Sequence, residues 1–218
     1  MTPIGITSSG MTFSIGFCFL PGEQQEDYAW ALKCFQELGI NPSVVVMDGD
    51  SALKNASEEV FPCAPTLLCI WHVNQCVLAN CKSVVGDEDW GAFQAAWHAI
   101  LAAPTIEQFD KLWLKFKTQY SNPKTYKCIS YLQKEWLKDG QKERLLSAHT
   151  NQYLHFGIRT TSRNEGAHAY IKRYLGGKKS KGDLYCSWLR IEAAVINQIV
   201  AVSTRTNTLR DRIPIDID

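Results

Sequence analysis

Ser43-Val44-Val45-Val46-Met47 runs straight into Asp48-Gly49-Asp50 and then Ser51-Ala52-Leu53. The first five residues are short, apolar and β-branched, the pattern of a strand covered on both faces. The stretch ends in a carboxylate, a glycine and an Asp-Ser pair that opens a helix. A buried strand leading into a helix belongs to a layered α/β fold, and ligands in such folds collect at the carboxyl ends of the strands.

The neighbouring segments extend the pattern. Upstream, Thr2–Thr7 and Phe13–Leu20 read as two strands joined by a turn at Ser8-Ser9-Gly10, with Pro21-Gly22 as the stop. Tyr28, Ala31, Leu32, Phe35 and Leu38 follow helical spacing over residues 24–38, and Gly39 ends that helix. Downstream come a helix at 51–60, a buried strand at Thr66–Ile70 and a helix from about 71 to 84. The order is β-β-α-β-α-β-α. Beyond Gly86 the pattern is helical to about residue 148, with tryptophans at 90, 97, 113 and 136 and a break at Ser121-Asn122-Pro123. Two more helices are expected, over about 163–175 and 183–206, joined by the loop Gly176–Gly182. The divisions are residues 1–86 for the first part of the core, 87–148 for an all-helical insertion and 149–218 for the closing helices.

Of the 218 residues, 45% are hydrophobic and 21% charged, which excludes wholesale disorder, collagen-like sequence and a simple coiled coil. No stretch approaches ~18 uninterrupted apolar residues, so no membrane span is expected. Phe13–Leu20 is short and no Lys or Arg precedes it, unlike a secretory signal. The formal charge of +1 is unevenly spread: net −6 over residues 1–60, +2 over 61–158 and +5 over 159–218. An acidic half beside a basic one suits a cation site near a polyanion, as well as simple solubility. The eight cysteines form no CxxC pair, and most sit in apolar runs, so buried thiols in a reducing, intracellular setting are expected.

Four features could carry chemistry. Asp48, at the tip of its strand, could bind Mg²⁺ through oxygen or cap the next helix; Asp50 suits the capping role better, because the helix opens directly after it. Glu165, in Thr160-Thr161-Ser162-Arg163-Asn164-Glu165-Gly166-Ala167-His168, lies opposite the apolar stripe of its helix and is equally the glutamate of a Ser162-x-x-Glu165 capping box. Cys69-Ile70-Trp71-His72 is a CxxH. Zinc needs four ligands, and the other candidates (Cys63, Cys76, His149, His155) have no recognised spacing, so a packed cysteine and a hydrogen-bonded histidine is the simpler reading. Arg163, Lys172, Arg173, Lys178, Lys179 and Lys181 cluster around a glycine loop, either to neutralise phosphates or as a solvated surface. There is no G-x-S-x-G and no G-x-x-x-x-G-K-[ST].

Taken together, these blocks resemble the Mutator-like element (MULE) transposase domain. Thr7–Ser14 is similar to the turn between its second and third strands, and so is Phe19–Glu23 followed by Asp27–Trp30. Met47–Ala56 is similar to its second-aspartate block. Phe61-Pro62 running into Leu68–His72 resembles its CxxH block, and Thr160–His168 its glutamate block. The resemblance runs in order along nearly the whole chain. It implies a ribonuclease H-like core of the DDE transposase/integrase superfamily, with a helical insertion before the glutamate.

The resemblance also implies a chemistry. An Asp-Asp-Glu triad holds two divalent metals, usually Mg²⁺ (or Mn²⁺), for in-line attack at phosphorus. Asp48 would be the second carboxylate and Glu165 the third, 117 residues apart, with Cys69 and His72 supporting the site. The partner would be double-stranded DNA, both transposon ends and target; the location would be the nucleus; and a homo-oligomer is compatible. The family's first aspartate lies on a strand upstream of the segment that begins here. The core is therefore expected to be N-terminally truncated, with an incomplete triad and no catalysis as written. The alternative is a domesticated, non-catalytic nuclear module, derived from a transposase, that binds DNA or protein. Intact apolar periodicities argue against a relic that does not fold.

Overall fold

Backbone pairing near the N-terminus is set by a glycine. The computed structural model describes residues 1, 3–6, 12–160, 166 and 184–210. β1 (Ile4–Ile6) and β2 (Thr12–Ser14) pair antiparallel, with Gly5 opposite Phe13. The Phe13 ring lies over Gly5, where an added Cβ would sit 2.4 Å from the ring's Cζ. The expected second strand, Phe13–Leu20, is therefore shorter than read: regular pairing stops at Ser14. Single hydrogen bonds continue beyond it, from Ile15 N–H to Pro3 O (3.0 Å) and from Cys18 N–H to Met1 O (2.9 Å).

The strands and a long C-terminal helix, Leu184–Arg210, belong to one of two compact units (residues 1–20 with 162–218). That helix exposes Trp188, Leu189, Ile196, Ile199 and Val200. The expected helix at 163–175 and the loop Gly176–Gly182 lie outside the described residues.

Residues 21–161 form the other unit. α1 (Gln25–Glu37) opens with the Asp27 carboxylate accepting from the Gln24 N–H (3.1 Å), and Gly39 follows it at φ +82°, a left-handed conformation that stops a helix without steric cost. α2 (Ser51–Val60) starts where it was expected, capped by Asp50. The two helices pack on each other, burying Ala29, Ala56, Val60 and Phe61 against Tyr28, Leu32 and Val45. On their polar faces Lys33 pairs with Glu59 at 2.8 Å, and the Gln36 amide donates to Val60 O at 2.9 Å. β3 (Val45–Met47) and β4 (Thr66–Leu68) run parallel, with α2 as the crossover between them. All three residues of β4 are buried; in β3 only Met47 is, and Val45 and Val46 are half-covered.

α3 (Ile70–Val85) and α4 (Asp87–Leu101) meet at Gly86. That residue donates its N–H to Lys82 O (2.9 Å), accepts from Trp90 N–H (3.0 Å), and holds φ +94°. The helical stretch after it breaks several times. The break at Ser121–Pro123 matches the expectation. Another break, Ala102–Thr105, interrupts the stretch expected to be helical; there Pro104 precedes Thr105, whose hydroxyl caps α5 (Ile106–Tyr120) by accepting from Gln108 N–H at 3.2 Å. α6 (Tyr126–Tyr131) runs into a single π-helical turn, Leu132–Trp136, followed by the short α7 (Lys142–Leu145) and α8 (Ser147–Thr150); the Leu184–Arg210 helix is α9.

The core of this unit is aromatic. Phe93 is fully buried and stacks on Trp90 (5.6 Å between centroids), with Phe116 and Tyr120 each at 4.9 Å. Such pairs contribute about 0.5–1.5 kcal/mol each beyond their buried area.

The fold is thus mixed α/β and mostly helical. Its strands form two separate pairs among the described residues. Among those residues, no helix is long and apolar enough to cross a membrane. Cys69, Cys81 and Cys128 are buried as expected. Cys63 and Cys76 are exposed, one in the turn after α2 and the other on the outer face of α3.

Candidate functional site at the carboxyl edge of the parallel pair

The register Met47↔Leu68 ends both strands together, so Asp48 and Cys69 follow side by side at one edge. The Cys69 N–H donates to Met47 O at 2.7 Å and locks that edge. Cys69 is wholly buried and is the N-cap residue of α3; its carbonyl accepts from Val73 N–H at 3.1 Å. His72 sits half-buried one turn on, its ring edge-to-face with Trp71 at 4.8 Å. The CxxH is thus a buried cysteine at a strand–helix junction and a histidine at the third position of the helix.

The two aspartates divide their roles. The Asp50 carboxylate accepts from Leu53 N–H at 2.7 Å and caps α2. Asp48 is exposed, and its Oδ1 accepts from Asp50 N–H at 3.3 Å, which turns the loop. The surroundings are acidic. Burial pushes the Tyr28 phenol above its ordinary pKa, and the carboxylates of Asp50, Glu23, Asp48 and Asp27 push it further.

These carboxylates do not converge. Among the described residues, no group of three His, Cys, Asp or Glu side chains is placed to share a metal ion. The described side chains therefore do not make a complete cation site by themselves; Asp48 supplies one open carboxylate at the expected edge. Glu165, the other carboxylate expected from sequence, lies outside the described residues, as do Arg163, Lys172, Arg173, Lys178, Lys179 and Lys181.

Two arginines tie the later helical region to the parallel pair, Arg144 at the start of β4 and Arg159 at the first turn of α3, beyond its carboxyl edge. Arg144 Nε donates to Thr66 O at 3.0 Å. The Arg159 carbonyl accepts from Ile70 N–H at 2.9 Å, so the residue just before Thr160, where the glutamate block begins, is fastened to the first turn of α3. The Arg159 guanidinium is buried, donating through Nη1 to Ser147 Oγ (3.0 Å) and through Nη2 to Leu145 O. Burial lowers its pKa from the usual guanidinium value. No local pattern announces these contacts, because their acceptors come from distant segments.

Comparisons with known proteins bear on the first part of the chain most directly. A PKS-NRPS hybrid synthetase, cheA, of Chaetomium globosum is 28% identical over 196 residues, 78% of this chain and 4% of that protein. Protein FAR1-RELATED SEQUENCE 2 of Arabidopsis thaliana is 26% identical over 113 residues, 50% of this chain and 14% of that protein. The chain thus spans a small fraction of each of these relatives. The stretch that carries Asp48, Cys69 and His72 lies within a family match that ends before the helical insertion and the glutamate block: residues 1–76 match the MULE transposase domain, the family that the motifs resemble.

Proposed function

We propose that this chain contributes the second aspartate and the glutamate, Asp48 and Glu165, to the catalytic core of a MULE-type DNA strand-transfer enzyme with a ribonuclease H-like fold. The observation that carries the reading is the edge itself. Asp48 is open at the end of a parallel strand, Asp50 is occupied as a cap, and the Arg159 carbonyl is bonded to Ile70, the residue after Cys69. Asp48 and Glu165, with a third carboxylate, would hold Mg²⁺ or Mn²⁺; such a metal activates a water or a 3′-hydroxyl and stabilises the leaving oxygen. The partner would be double-stranded DNA and the location the nucleus. Titration of the purified chain with Mn²⁺, followed by electron paramagnetic resonance, tests this. Asp48→Ala and Glu165→Ala should each weaken binding by about tenfold or more, the worth of one close carboxylate. Titrations identical to wild type would overturn the assignment.

A second reading, a transposase-derived module that binds DNA or protein without catalysis, is favoured by the apolar face of α9 and the net +5 of residues 159–218. It expects salt-dependent DNA retardation that survives Glu165→Ala and is lost when Lys178, Lys179 and Lys181 are neutralised. No DNA affinity at low salt would remove its nucleic-acid form.

A further inference from the structure

Arg159 is only 7% exposed, yet among the described residues no carboxylate pairs with it. A guanidinium offers five N–H donors. Two of these are used, on Ser147 Oγ and Leu145 O, and the buried Nε has no partner. Both acceptors are neutral. A buried cation without a counter-charge is costly, and most such groups in folded proteins are paired.

The same guanidinium lines a cavity of about 180 Å³ whose other walls are Ile70, Asn74, His98, Leu101, Ala102 and Ser147. Its size far exceeds the ~30 Å³ share of one liquid water. Its polar groups are donors or can act as donors. Ser147 Oγ accepts from Arg159 and retains its own O–H. Asn74 Oδ1 accepts from the Trp97 indole at 3.1 Å, leaving the amide N–H groups. His98 is exposed at the rim. Among the described residues no carboxylate lines the wall. A water could satisfy a donor here but could not balance the charge.

We propose that this cavity is a binding site for a phosphate-class oxyanion, held by the Arg159 guanidinium with Ser147, Asn74 and His98 as further donors. The oxyanion would be a free phosphate or the terminal phosphate of a nucleic acid strand, two sources of one chemistry. Charge-assisted hydrogen bonds to a guanidinium are about twice as strong as neutral ones, which makes Arg159 the anchor. The site uses neither Asp48 nor Asp50 and needs no metal.

The test is calorimetric titration of the chain, without divalent metal, with inorganic phosphate and with a short oligonucleotide carrying or lacking a 5′-phosphate. Wild type should bind at least one phosphate-bearing probe saturably. Tighter binding of the phosphorylated oligonucleotide than of its unphosphorylated twin, with competition by inorganic phosphate, identifies a strand end as the source; binding of inorganic phosphate alone identifies the free ion. Arg159→Lys keeps the charge but loses the fork and should weaken binding about tenfold. Because Arg159 is buried, Ser147→Ala and the rim variant His98→Ala provide a check that does not depend on its folding; each should weaken binding several-fold with an unchanged melting temperature in phosphate-free buffer. The proposal is overturned if no phosphate-bearing probe binds, or if folded Arg159→Lys, Ser147→Ala and His98→Ala all bind as wild type does.

Discussion

The Asp50 carboxylate takes the Leu53 N–H at 2.7 Å, while the Asp48 carboxylate, two residues earlier, accepts from the backbone N–H of Asp50 at a longer 3.3 Å. One aspartate therefore belongs to the fold and the other is open to chemistry. Asp50→Ala should lower unfolding free energy by about 1 kcal/mol, the usual loss for an N-cap. Asp48→Ala should stay within about 0.5 kcal/mol of wild type, as exposed substitutions do. Urea melts of the two variants decide the matter; equal losses would mean that Asp48 is also structural.

The Gly5–Phe13 pair should behave as a unit. Gly5→Ala pushes a methyl into the ring, which must swing away. Phe13→Ala removes the obstacle. The double variant should therefore be more stable than the sum of the single losses predicts, with a coupling of about 0.5 kcal/mol or more. Strict additivity in thermal melts would show that the ring does not rest on Gly5 in solution.

Phe93 is the centre of the aromatic core. Truncation to alanine should cost about 3–5 kcal/mol, a large part of the ~5–15 kcal/mol that holds a typical domain together. Leu114, 62% exposed on α5, is the control; its alanine variant should melt within a degree or two of wild type.

The thiols should sort by position. Cys63 and Cys76 are exposed and should react with a thiol reagent in the native state, whereas Cys69, Cys81 and Cys128 should react only on unfolding. Burial drives the Cys81 thiol far above its ordinary pKa, reinforced by Cys128, and burial raises Cys128 as well. Both folded pKa values are raised, so above the unfolded value of about 8.5 the unfolded chain binds fewer protons than the folded one. Stability should fall as pH rises beyond that point. Cys81→Ala/Cys128→Ala should flatten the alkaline decline; an unchanged slope would assign it to other groups.

Local signals predicted local features well. Asp50 before Ser51-Ala52-Leu53 marked the start of α2, and Gly39 marked the end of α1, because a cap or a left-handed stop acts within one turn. Strand length was harder to read. Apolar residues run on to Leu20, yet β2 ends at Ser14, since pairing depends on a partner strand that is itself three residues long. The break at Ala102–Thr105 was announced by Pro104 and the capping Thr105, but the tryptophan periodicity on both sides masked it. For the candidate site, Asp48 and the CxxH could be read because a strand end and a helix start are contiguous in sequence. Arg159 could not, since Ile70, Leu145 and Ser147 meet it only after folding.

Gly86 closes α3 and opens α4 with nothing in between. A longer loop would let the two helices settle independently, but a single residue at φ +94° does not. The sixteen residues of α3 make a stiff arm about 24 Å long. One end of that arm carries Cys69 and His72; the other is welded to the helix that bears Phe93. The chemistry-bearing edge and the aromatic interior thus draw on one shared core, which holds Leu68 and Val73 together with Phe93.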